Sequence, residues 1–162
     1  MLTKIFNTVV LVITMLCASA VYAGDSEDGD AAIISKNYSL ALSKFKSAAV
    51  KNNAYAQSQV GNMYNEGLGV VQDYAEAVKW YRLAAAQGNA SAQHNLGLMY
   101  GKGQGLPMDD VRAHMWFNLA AAKGIAVAVK SRDIVAKKMT PQKMAEAQKL
   151  ARECQARDFK GC

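Results

Sequence analysis

The side chains of this 162-residue chain that are able to do chemistry are few, and their spacing argues against an active site. Two histidines, His94 and His114, fall on different helical segments, and no nearby Cys or acid completes the three or four ligands that zinc takes. No Ser-His-Asp or paired-carboxylate spacing suited to nucleophilic or general acid-base work stands out. The glycine pairs Gly67/Gly69 and Gly103/Gly105 have the look of phosphate-cradling loops. They lack both a preceding strand and a Gly-Lys-Ser/Thr sequence, so nucleotide binding is excluded. Catalytic, cofactor-binding and metal residues are therefore all expected to be none.

The cysteines carry the remaining reactive chemistry. Cys17 lies in an apolar N-terminal segment, and Cys154 and Cys162 lie near the C-terminus without a Cys-x-x-Cys redox motif. Continuous helix would hold Cys154 and Cys162 about 12 Å apart along its axis, beyond disulfide reach. A bridge requires the last helix to end soon after Cys154 and the chain to turn back through Arg157-Asp158-Phe159-Lys160-Gly161. A structural staple of this kind and a pair of free thiols both remain open.

The elements that position these residues come from an internal repeat. Residues 54–89 and 90–125 are two copies of a 36-residue unit with 16 identical positions. Among these are Gly61/Gly97, Tyr64/Tyr100, Asp73/Asp109, Trp80/Trp116 and Gly88/Gly124. Such a period marks stacked helical hairpins, a scaffold architecture. In the first half of the unit, Ala56, Gln57, Val60, Gly61 and Tyr64 share one helical stripe. Gly61 and Gly97 sit inside that helix at a cost, which predicts that the partner helix passes too close for a Cβ. Asp73 is expected to cap the second helix, with Glu76 completing a capping box. Ala77, Trp80, Tyr81, Ala84 and Ala85 form the second apolar stripe, copied by Ala113, Trp116, Phe117, Ala120 and Ala121.

Partial copies flank the full units. Residues 37–49 match the second helix of the unit, leaving Asp28 to Lys36 for a short helix before it. Val127 to Lys138 and Gln142 to Cys154 form a closing pair split at Thr140-Pro141. The expected organisation is a degenerate unit at 28–53, repeats at 54–89 and 90–125, a cap at 126–155 and a tail at 156–162. All lie in one all-α domain, an α/α solenoid over 24–162.

Residues 1–23 read as a cleavable secretory signal peptide. Lys4 is basic, Val9 to Ala20 is apolar, and Val21-Tyr22-Ala23 offers a small-x-small site for cutting after Ala23. A lipoprotein signal at Cys17 fits less well, because Thr14-Met15-Leu16 is the wrong context. Removal leaves a net charge of +5 in place of +6 and no transmembrane segment. Residues 123–162 hold ten Lys/Arg against four Asp/Glu, a balance that suits acidic partners and not, without aromatic-basic motifs, nucleic acid.

The signature A-x-A-Q-x-x-x-G-x-M-Y-x-x-G-x-G, then D-x-x-x-A-x-x-W and L-A-A-A-x-G, resembles the Sel-one-like repeat, a relative of the tetratricopeptide repeat. The resemblance spans residues 28–155. It implies a right-handed α/α superhelix that acts as an adaptor in protein complexes, often exported to the periplasm or beyond in bacteria. It also implies that the first helix of each hairpin lines a concave face. Tyr55, Ser58, Asn62, Asn65, Ser91, His94, Leu98, Lys102, Lys130, Ile134 and Lys137 then become the candidate groove for a protein or acidic peptide partner. A cysteine-rich subset of the family places Cys-x7-Cys at a place comparable to Cys154–Cys162, and β-lactam binding or hydrolysis has been proposed for that subset. A single Cys pair, with no activated nucleophile in sight, does not carry that activity over. A binder of cell-wall glycan is the alternative that the basic C-terminal part supports.

Overall fold

Short polar side chains at regular intervals decide where the helices begin. The computed structural model describes residues 24–162, and the expected signal segment lies outside the described residues. Helix α1 occupies 24–34, followed by α2 (Tyr38–Val50), α3 (Ala54–Glu66), α4 (Tyr74–Ala85), α5 (Ala90–Lys102), α6 (Asp110–Ala122), α7 (Ala126–Ala136) and α8 (Pro141–Ala156). No strand occurs among the described residues, and none of their helices is long and apolar enough to cross a membrane. Asn53, Asp73, Asn89 and Asp109 each accept the backbone N–H three residues on at 2.9 Å. Each such cap contributes about 1 kcal/mol. Thr140 caps α8, whose first residue is Pro141. The capping box expected at Asp73 does not close: Glu76 pairs with Lys79 at 2.7 Å, and the Asp73 N–H donates to the Tyr64 carbonyl at 2.9 Å.

The hairpins α3–α4 and α5–α6 stack in register, and the repeated residues explain how. An added Cβ on Gly61 would stand 2.6 Å from the Tyr81 ring, and one on Gly97 2.5 Å from the Phe117 ring. The helical glycines thus admit an aromatic ring of the same unit's second helix, not its backbone. Between units, the loop glycine Gly69 abuts the backbone of Tyr38, and Gly105 abuts that of Tyr74, one repeat further along. Buried Gln57 and Gln93 reach back to the last turn of the preceding helix, donating to the carbonyls of Ala49 and Ala85 at 3.1 and 3.4 Å. The Tyr64 and Tyr100 hydroxyls accept from Lys46 and Arg82 of the preceding unit at 2.9 and 3.2 Å.

Two boundaries differ from expectation. The opening unit has a longer first helix, because α1 already runs at residue 24, four residues before Asp28. Its Gly29 meets the Phe45 ring as Gly61 meets Tyr81, so α1–α2 is a third hairpin of the same kind with a shortened connection. The apolar interior continues through it, with Ala32, Ala41, Phe45, Val60 and Met63 in one cluster. The closing pair, by contrast, is not a hairpin of this kind. Helices α7 and α8 each pack on α6 and stand apart from one another. Neither helix carries the glycine and ring that draw the earlier pairs together. Cys154 and Cys162 are bonded, with Cα atoms 5.7 Å apart. The chain turns back after α8 through positive φ at Asp158, Phe159 and Gly161.

Candidate partner groove

The first helices of successive hairpins place the candidate groove residues side by side, but packing sorts them into three groups. Ser58 is removed from the groove: it is 3% exposed, on a helix packed against α2, α4 and α5. Asn62 is spent on the interior. Its Oδ1 accepts from the Tyr81 hydroxyl at 2.8 Å and from Asn95 at 2.9 Å, and its Nδ2 donates to Gln59 at 2.7 Å. Tyr55 is exposed, yet its hydroxyl donates to Asp30 at 2.5 Å and accepts from Gln59 at 2.9 Å, tying α3 to α1. Asn65 is half-buried at the end of α3, and its carbonyl accepts from Gln72 at 2.7 Å.

The second group converges. Leu98 and Lys102 of α5 and Ile134 of α7 line a cavity of about 200 Å³ with Gly101, Phe117, Ser131, Val135 and Lys138. Its walls are apolar through Leu98, Phe117, Ile134 and Val135, and Lys102 and Lys138 complete the lining. No ion pair occupies Lys102 or Lys138 among the described residues. His94 lies alongside, its ring tilted 46° against Phe117 with centroids 5.4 Å apart and its Nε2 3.5 Å from the Ser131 Oγ. Burial lowers the His94 pKa from its ordinary value, so the ring is neutral at pH 7. Phe117, Ser131, Val135 and Lys138 belong to this cavity but not to the expected set. Lys138 reaches the cavity from the turn just past α7, which ends at Ala136 and not at Lys138 as the sequence suggests.

The third group is exposed and dispersed. Ser91 begins α5 far from the cavity's lining, Lys130 lies on α7 outside that lining, and Lys137 is the C-cap of α7. No cluster of three or more His, Cys, Asp or Glu suited to a metal ion occurs among the described residues. What the arrangement offers is an apolar recess for one side chain, with cations placed to meet a neighbouring negative charge.

Comparison with known proteins agrees with this architecture. The family model described as the Sel1 repeat matches residues 54–89 and 90–125. Among solved structures, the chain is similar to a protective antigen present in uropathogenic Escherichia coli strains displaying an SLR fold. The identity there is 30% and the TM-score 0.78, over 82% of this chain and 29% of that one. It is also similar to a Sel1 repeat protein from Oxalobacter formigenes, at 36% identity and a TM-score of 0.61, over 64% of this chain and 41% of the other. The match thus spans less than half the length of either. No curated protein matches it. A 36-residue hairpin stacked in register on its glycines, tyrosines and glutamines, with two matched units and two like-folded neighbours, shows that this chain carries two Sel1 repeats within an all-α solenoid fold.

Proposed function

We propose that the chain is an exported interaction scaffold whose protein partner docks one apolar side chain in the recess between α5, α6 and α7, with an acidic group beside it. The observation that carries this reading is the pairing of an apolar lining, Leu98, Phe117, Ile134 and Val135, with the free ammonium groups of Lys102 and Lys138. Apolar burial supplies the affinity and the lysines favour acidic partners, the usual division of labour at such surfaces. Support for export comes from the signal-like pattern of residues 1–23 and from the Cys154–Cys162 bond, which persists in oxidising compartments.

The test is capture by the immobilised chain from envelope and cytoplasmic fractions, with the wild type beside an Ile134→Glu variant and a Lys102→Glu/Lys138→Glu variant. Ile134 is 58% exposed, so its replacement leaves the core intact. A partner retained by the wild type and lost from both variants is the expected result. Equal recovery on all three columns would mean that the recess is a solvated face. Recovery from the cytoplasmic fraction alone would remove the export part of the reading.

A further inference from the structure

The separation of α7 from α8 opens a second recess, a cleft of about 480 Å³ that shares no lining residue with the groove. Its volume falls within the ~300–1,000 Å³ of small-molecule sites. The floor comes from α6 with His114 and Asn118, and the walls from Arg132 and Asp133 of α7 and Arg152 and Gln155 of α8. Ala136, Met144 and Ala151 add apolar surface, but the lining is mainly polar and charged, unlike the recess at Ile134.

His114 is the unusual member. It is 4% exposed, yet its Nδ1 is sealed from solvent without a hydrogen-bond partner among the described residues. Burial first, and then the nearby Arg132 charge, lower its pKa, with Asp133 opposing, so the ring is neutral and carries one proton. With Nδ1 sealed, Nε2 is the ring nitrogen left for a ligand in the cleft, and it is a donor in the tautomer that carries the proton there. The two arginines differ. Arg132 is held in place, donating to Asn118 at 3.3 Å and through Nε and Nη2 to one oxygen of Asp133 at 3.0 and 2.9 Å. Arg152 has no ion pair or hydrogen bond among the described residues. Two guanidinium groups against one carboxylate leave the cleft positive.

We propose that this cleft binds a small polar organic anion, whose carboxylate is taken by Arg152 and by Nε2 of His114. The amino or hydroxyl groups of the same molecule meet the second oxygen of Asp133 and the amides of Asn118 and Gln155. The two arginines and the carboxylate favour a charged, polar ligand over a lipid, and a naked inorganic anion does not fill the cleft.

Three probes of similar size test this: L-glutamate and D-glucuronate as carboxylates from two sources, and N-acetyl-D-glucosamine as the neutral counterpart. The imidazole resonances of His114, distinguished from those of His94 by a His94→Gln variant, report occupancy during titration. The expected result is a saturable shift of His114 with at least one carboxylate and none with the neutral sugar. Arg152→Gln, an exposed position on α8, is then expected to weaken binding about tenfold or more with an unchanged unfolding midpoint. Which carboxylate binds separates the amino-acid from the sugar-acid class. No saturable shift from either carboxylate at about 10 mM overturns the proposal, as does a shift that Arg152→Gln leaves unchanged or that the neutral sugar produces equally.

Discussion

The Tyr81 hydroxyl donates to Oδ1 of Asn62 at 2.8 Å, and the same oxygen accepts from Asn95 at 2.9 Å, so one amide joins α3, α4 and α5. Burial holds the Tyr81 phenol far above its ordinary pKa, so the donor stays protonated. Removing the amide leaves the nearly enclosed Tyr81 hydroxyl and the Asn95 amide without their partner. Asn62→Ala is expected to cost about 1–3 kcal/mol, read as a lowered urea midpoint with an unchanged slope. Partner capture by the folded variant is expected to persist. Loss of capture with full stability would return Asn62 to the groove.

Gly97→Ala places a methyl group 2.5 Å from the Phe117 ring, which has no room to move because Phe117 is 2% exposed. The expected destabilisation is about 1–3 kcal/mol, despite the better helix propensity of alanine. Combining it with Phe117→Leu is expected to cost less than the sum of the two single changes, since they share one contact. Additive costs in thermal unfolding would place the strain elsewhere.

Reduction of the Cys154–Cys162 bond is expected to cost about 2–3 kcal/mol by the chain-entropy estimate for so short a loop. The effect has a local reporter. The tail residues Phe159, Gly161 and Cys162 border Trp116, and Phe159 lies 4.7 Å from the Lys123 ammonium. Trp116 fluorescence is therefore expected to change on reduction below the unfolding temperature, in the wild type and in a Trp80→Phe variant alike. An emission spectrum insensitive to reductant in the folded protein would detach the tail from this role.

Stability is expected to fall as the pH drops below about 6.5. Burial lowers the pKa values of His94 and His114 below the ordinary 6.5. Across the window between that value and the folded values, the unfolded chain binds more protons than the folded one, so acid favours unfolding. Asp25 adds a separate loss only at lower pH. Its carboxyl is held below 3.8 by hydrogen bonds from Lys51 and Ser47, and that contribution disappears as pH falls through the folded value. Urea midpoints between about pH 7.5 and 5 check the histidine window, and His94→Gln is expected to flatten the slope. A midpoint that rises on acidification would contradict the sign.

The helices and their stacking were legible because the 36-residue period repeats the residues that make the contacts. Gly61, Gly97 and the paired aromatic stripes are local signals, and the structure joins each glycine to a ring of its own unit. The opening hairpin looks degenerate in sequence because its connection is shorter, which shifts Gly29 out of the 36-residue alignment. The groove was read less well. Helical spacing places Ser58 on the same side of α3 as Asn62 but does not reveal that α5 also reaches α3. Lys138 reaches the cavity from the turn after α7, so helical spacing from Ile134 does not locate it.

The sequence by itself determined the hairpin, its period and its caps, because these depend on residues within one unit or the next, and it left the pairing of Cys154 with Cys162 open. Only the tertiary structure decided which polar side chains of the expected groove stay exposed. That choice turns on burial by a helix two elements away, and on the separation of α7 from α8 where the glycine-ring contact is missing. The cleft around His114 arises from that missing contact, which no local pattern records.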